Sequence, residues 1–168
     1  MTVTDINQPD ALTGSKRLAE KLTGEGGRTM EFFRGLTPDQ WEQVIYSEGK
    51  EWKVRQVLAH FVSSEAANRQ VVENILGGGP GAPVVFDINK FNEEKVAELL
   101  DNSVEELLVQ FVMLRQATID LVRRMDDIDL GKQGRHPFFG IASVEDILKL
   151  IYRNNQIHLR DVRKMFGP

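Results

Sequence analysis

The stretch Trp52-Lys53-Val54-Arg55-Gln56-Val57-Leu58-Ala59-His60-Phe61-Val62-Ser63-Ser64-Glu65 decides how this chain is read. Val54, Leu58 and Phe61, continued by Val72, recur at the spacing that stacks side chains along one face of an α-helix. The pattern predicts a long helix from Lys53 to Leu76, stopped by the glycine- and proline-rich run Gly77 to Pro83. Glu65 falls in the centre of that apolar stripe, with Asn68 beside it. His60 lies on the flank, along the ridge of Val57 and Ser64.

Three further segments carry the same periodicity. The first, Leu12 to Arg34, has Leu18, Leu22, Met30 and Phe33 on its stripe, interrupted by Gly24-Glu25-Gly26-Gly27. Each glycine inside a helix costs ~1 kcal/mol against alanine, so a kink or a close packing contact is expected there. That contact could be within the chain or with a second copy. Thr37-Pro38-Asp39-Gln40 forms a capping box that opens a short helical turn through Trp41 and Val44. The long crossover after Pro83 holds a short helix from Asn89 to Leu100. Ser103 and Glu106 open the third long helix, which reaches Met125. Its stripe runs through Val104, Leu107, Leu108, Phe111, Val122 and Met125, with Arg115 in the middle and Thr118 one turn on. Ser143 caps the fourth, which ends at Met165 and carries Asn155 and His158 within the stripe of Val144, Ile147, Leu148, Ile151 and Val162.

No stretch shows sustained apolar-polar alternation and no internal repeat is visible. The expectation is therefore an all-α, four-helix bundle with a long crossover and short extra helices. It forms one domain over residues 1–168, with 1–10 as a flexible tail.

The formal net charge of -4 argues against a general nucleic-acid binder. The basic residues of the last helix (Lys149, Arg153, Arg160, Arg163, Lys164) read as a solvated face. The absence of cysteine excludes disulfides, thiolate metal sites and a cysteine nucleophile. With no signal-peptide pattern and no apolar run approaching the ~20 residues that span a bilayer, no membrane role is expected and the default location is the cytoplasm.

Three helices thus place polar side chains at similar depth on inward faces. A charge isolated there costs several kcal/mol, so it must be paired, neutralised or reached by water. Glu65 and Arg115 have opposite sign, and a shared polar cavity with Asn68, Asn155 and His158 is the economical reading. Taken singly, a histidine on a core stripe is more often a hydrogen-bonded structural residue than a metal ligand. His136, before Pro137 in a loop, reads as exposed and without a role. Phosphate-binding glycine loops, a G-x-S-x-G elbow and inward-facing paired carboxylates are absent.

The opening stretch resembles the second-helix signature of the DinB/YfiT-like superfamily, in which a tryptophan precedes a Val-Leu-Ala-His run that ends in glutamate. Arg115, the tail Asn154-Asn155-Gln156-Ile157-His158-Leu159-Arg160-Asp161-Val162-Arg163, and Leu36-Thr37-Pro38-Asp39-Gln40-Trp41 are similar to the rest of the pattern. The resemblance implies a four-helix bundle, often a homodimer. It implies a divalent metal (zinc, nickel or manganese) held by one histidine on the second helix and two residues four apart on the fourth. His60 and His158 match the first and last of these ligands. The middle position falls on Asn154, where relatives have histidine or glutamate. Asparagine offers a neutral carbonyl oxygen, which suits hard ions and serves zinc or nickel poorly. The metal is therefore either weakly held by His60, Asn154, His158 and water, or lost.

Two functions follow. In the first, the resemblance implies a metal-dependent transferase, isomerase or hydrolase acting on a small-molecule substrate, with any thiol supplied by a cosubstrate. Glu65 would then orient groups or act as general base, and Arg115 would bind a carboxylate or steady Glu65. In the second, the same residues form a metal-free site for a small ligand, or a structural polar core.

Overall fold

The computed structural model describes residues 13–167. The expected tail, the helix start at Leu12 and Pro168 lie outside the described residues. Four long helices, α1 (Gly14–Arg34), α3 (Val54–Leu76), α5 (Val104–Arg123) and α7 (Val144–Phe166), form a bundle. Short helices α2 (Pro38–Trp41), α4 (Ile88–Glu98) and α6 (Asp127–Gly131) decorate it. The all-α bundle expected from periodicity is what the chain forms. α1 packs on α5 and α7, and α3 packs on α5 and α7, so α1 sits diagonally across the ring from α3, and α5 from α7. Caps set the starts as expected: Thr37, Ser103 and Ser143 each accept from the third backbone N–H of the helix they precede.

The sequence reading of no sheet needs correction. β1 (Val44–Ser47) pairs with β2 (Lys50–Lys53), and β3 (Gln133–His136) with β4 (Gly140–Ser143), both antiparallel. Val44, expected in a helical turn, starts β1 instead. Strands of four residues are too short for alternation to stand out from chance, and the first turn, Glu48-Gly49, has a glutamate where asparagine or aspartate would have signalled a hairpin. Glu48 and Gly49 both have positive φ, 51° and 75°. The crossover run is likewise more than a linker. Ala82 N–H donates to Arg135 O and Arg135 N–H to Pro80 O, both at 2.7 Å, which fastens it to β3.

The order long helix, short helix, hairpin, long helix occurs twice, as α1-α2-β1-β2-α3 and α5-α6-β3-β4-α7. The joints match: Val54 N–H donates to Gln43 O and Val144 N–H to Lys132 O, each at 2.9 Å. Glu65 lies as far into α3 as Asn155 lies into α7, and Asn68 as far as His158. A structural repeat is therefore present where the sequence reading saw none. It resides in element order and backbone hydrogen bonds, which tolerate wide sequence divergence.

His136 is the second correction. It is 3% exposed, because the inward positions of β3 are Gly134 and His136. Its Nδ1 accepts from Phe138 N–H at 3.1 Å, so Nε2 carries the proton and donates to Asn68 Oδ1 at 2.8 Å. Burial lowers its pKa from 6.5 to about 4. Below pH 6.5 the unfolded chain takes up a proton that the folded one refuses, so stability falls as pH drops toward 4. The slope from this group approaches ~1.4 kcal/mol per pH unit. Urea unfolding between pH 6.5 and 4.5 should therefore show a shallower pH dependence in His136→Gln than in the parent protein. Equal slopes would contradict the buried neutral imidazole.

Candidate functional site: a guanidinium layer and a histidine pair

The core comes in two apolar clusters. One gathers Phe33, Trp41, Trp52, Phe61, Phe111 and Leu159, and the other Leu22, Val72, Ile119, Val122, Ile147 and Ile151. Between them on every long helix the stripe turns polar: Glu25 and Gly26 on α1, Glu65 on α3, Arg115 on α5, Asn155 on α7. Arg115 Nε and Nη2 each donate at 2.9 Å to the two oxygens of Glu65. Its Nη1 donates to Leu22 O at 3.1 Å. Only one orientation of the Asn155 amide suits both its neighbours: Oδ1 then accepts from Arg115 Nη2 at 3.0 Å and the amide N–H donates to Ile151 O at 3.2 Å. One guanidinium thus touches all four long helices. Phe111 lies beneath it, ring centroid 5.1 Å from Cζ.

This layer explains one of the glycines that interrupt α1, which is nevertheless helical throughout. A Cβ on Gly26 would meet Arg115 Cγ at 3.1 Å and Nη1 at 3.2 Å. The close contact at Gly26 is therefore intramolecular and made with a side chain.

The histidine pair sits between α3 and α7. The rings of His60 and His158 are 5.1 Å apart and nearly perpendicular. Trp52 of β2 covers both, at 5.0 Å from His60 and 6.2 Å from His158. Asn154 reaches His60, its Nδ2 lying 3.2 Å from Nε2. His60 Nδ1 is buried and has no partner among the described residues. Burial, helped by the nearby His158 and Lys50, lowers the His60 pKa to about 3, so the ring is neutral.

His158 is held differently. Its Nδ1 lies 2.8 Å from Ser47 Oγ, which donates its own proton to Asp161 Oδ2 at 2.7 Å. That bond from Ser47 holds the Asp161 carboxyl below its ordinary range, so it is ionised and can only accept. A hydroxyl has one proton to give. Ser47 must therefore accept from His158, which places the imidazole proton on Nδ1 and leaves the Nε2 lone pair free. Burial lowers the His158 pKa, opposed by Glu48 and Asp161.

The expected shared cavity thus resolves into three hydrogen-bonded groups. Glu65, Arg115 and Asn155 form the central layer. His60, Asn154 and His158 meet as the family pattern implied. Asn68 leaves the set: it donates to Ser64 O at 2.9 Å and serves His136 instead. Sequence reasoning missed Ser47, Asp161 and His136. Asp161 follows His158 by one turn and could have been noticed; Ser47 depends on a hairpin that periodicity did not reveal.

A resident divalent ion needs three or more donors of the right kind. Among the described residues no group of three or more His, Asp, Glu or Cys side chains could hold one. The third position carries Asn154, which turns an N–H donor toward the lone pair of His60 that a metal would use. These residues do not fit a three-ligand metal centre.

Comparisons with known proteins agree with this architecture. The model of the DinB superfamily matches residues 21–162. YfiT from Bacillus subtilis, described as a probable metal-dependent hydrolase with an unusual four-helix bundle topology, superposes with a TM-score of 0.71 at 17% identity, covering 95% of this chain and 91% of that one. The colibactin self-resistance protein ClbS, solved with double-stranded DNA, gives 0.70 at 12% identity over 92% and 98%. The mycothiol-dependent maleylpyruvate isomerase gives 0.67 at 16% identity, covering 87% of this chain and 58% of that one. At such identities these likenesses concern the fold. No curated protein matches the chain in sequence.

The layer predicts strong coupling between its two charges. Arg115→Met should cost about 3–5 kcal/mol in urea unfolding, because it strands a buried carboxylate. Combined with Glu65→Leu, the loss should shrink to a small fraction of that. Additive losses in the double variant would contradict the pairing.

Proposed function

The chain belongs to the DinB superfamily, and from that membership and the geometry of its histidine pair we propose that it is a small-molecule site that works without a resident metal. His158 Nε2 is the working atom: its lone pair accepts a proton or hydrogen bond from a protic group of the ligand. The observation that carries this reading is the chain Asp161–Ser47–His158, with links of 2.7 and 2.8 Å, which fixes the tautomer and ring orientation. Asp161 and Ser47 position the ring and do not contact the ligand. A neutral imidazole held this way is suited to general-base work near neutral pH. The chain has no cysteine, so a thiol reacting here must belong to the ligand.

Within this reading Glu65 and Arg115 are structural, since both carboxylate oxygens are taken by the guanidinium. Trp52 forms the wall. Its ring faces the histidines and also lines a surface groove of about 450 Å³ with Lys50, Gln56, Glu93 and Val96. The mycothiol-dependent isomerase among the structural neighbours supports a small, thiol-bearing partner. The net charge of -4 supports a small molecule over DNA, although ClbS has been solved with DNA.

The competing reading is a metal-dependent enzyme, a hydrolase as YfiT is described or an isomerase. Elemental analysis of untagged protein, followed by titration with zinc, nickel and manganese, separates the two. The metal-free reading expects no stoichiometric ion, and expects Asn154→His to gain zinc binding by completing a three-imidazole set. One equivalent of metal per parent chain, lost in His158→Ala, would establish the metal-dependent reading instead.

A further inference from the structure

On the opposite side of the ring from the histidine pair, α1 and α5 leave a groove of about 660 Å³ between them. Its volume is within the usual range for small-molecule sites. The floor is Phe111 and Arg115, and the walls are mainly Met30, Ile119, Val112 and the bare backbone of Gly26 and Gly27, with Glu31, Arg34 and Gln116 also lining the groove. We propose that this groove is a second binding site, independent of the histidine pair, for an uncharged, mainly apolar molecule carrying one carbonyl-type acceptor.

Two observations carry it. The first concerns Gly27. Gly26 is favoured by the close approach of Arg115, but a Cβ on Gly27 would meet nothing within 4 Å. Glycine inside a helix costs ~1 kcal/mol relative to alanine, and at position 27 no contact within the chain offsets that cost. What the missing side chain does is keep the groove open.

The second concerns Arg115, which is 3% exposed. A guanidinium has five N–H donors. Nε serves Glu65, Nη2 serves Glu65 and Asn155, and Nη1 serves Leu22 O. The remaining N–H is on Nη1, the nitrogen beneath Gly26 at the groove floor, and it has no acceptor among the described residues. A ligand that supplies an acceptor there takes the place of water at the groove floor. The guanidinium charge is already matched by Glu65, so a second carboxylate would bring an uncompensated negative charge into the layer. A ketone, amide or ester oxygen satisfies the N–H without that penalty, and the apolar walls take the rest of the molecule.

The test uses prodan, a neutral naphthalene ketone whose emission shifts to the blue in apolar surroundings. Titration of prodan with the parent protein should give a saturable blue shift. Gly27→Leu fills the groove with a better helix former and should weaken binding by about tenfold or more while the helical circular dichroism and melting temperature are maintained. A naphthylamine of similar size without the ketone should bind more weakly than prodan to the parent protein. No saturable shift, or identical titrations for parent and Gly27→Leu, would overturn the proposal. So would sedimentation showing a dimer that Gly27→Leu dissociates, because the groove would then be covered by a second copy of the chain.

Discussion

A single guanidinium buried where four helices meet governs the rest of this structure. Arg115 on α5 reaches Glu65 on α3, the Leu22 carbonyl on α1 and Asn155 on α7, and so ties the bundle together at one height. Replacing such a pair with hydrophobic groups is often neutral for stability, so its value is read here as one of register. Leucine and valine stripes can slide by a turn at modest cost, whereas a guanidinium fork matches its carboxylate in one register only. With α3 and α7 locked against α5, His60 and His158 face one another, and the Gly26 gap in α1 follows from the room Arg115 needs.

The internal repeat gives this layer a further logic. Glu65 and Asn155 occupy equivalent places in the two halves, and both serve Arg115. Asn68 and His158 are equivalent as well, each bonded to the last residue of a hairpin's first strand: His136 for Asn68, Ser47 for His158. One half uses the arrangement to seal a neutral histidine at the foot of β3. The other uses it to hold a histidine ring toward the pair at α3 and α7. The same scaffold position thus carries a structural bond in one half and the candidate functional group in the other.

Much of this was legible in the residues. The four apolar stripes gave the bundle, and the opposite charges of Glu65 and Arg115 at matching depth foretold their pairing. The spacing of Asn154 and His158 put both on one face of α7, and the family resemblance implied that this face would meet His60. Other parts were hidden for physical reasons. Four-residue strands are too short for a period to register, so both hairpins, and with them Ser47 and the burial of His136, went unseen. Asn68 sits on a stripe flank, where one helical position decides between two neighbours, and it faces His136. Whether Gly24 to Gly27 would bend α1 or admit a neighbour depended on a side chain from a helix far along the chain.

The chain satisfies its own interior polar groups in a way that leaves one imidazole nitrogen of His158 available. Long-range proton–nitrogen correlation spectra of the histidine rings at pH 7 test this directly. The expected result is a neutral His158 with its proton on Nδ1, a state that becomes a tautomer mixture in Ser47→Ala. A His158 ring protonated on Nε2, or charged at pH 7, would contradict it.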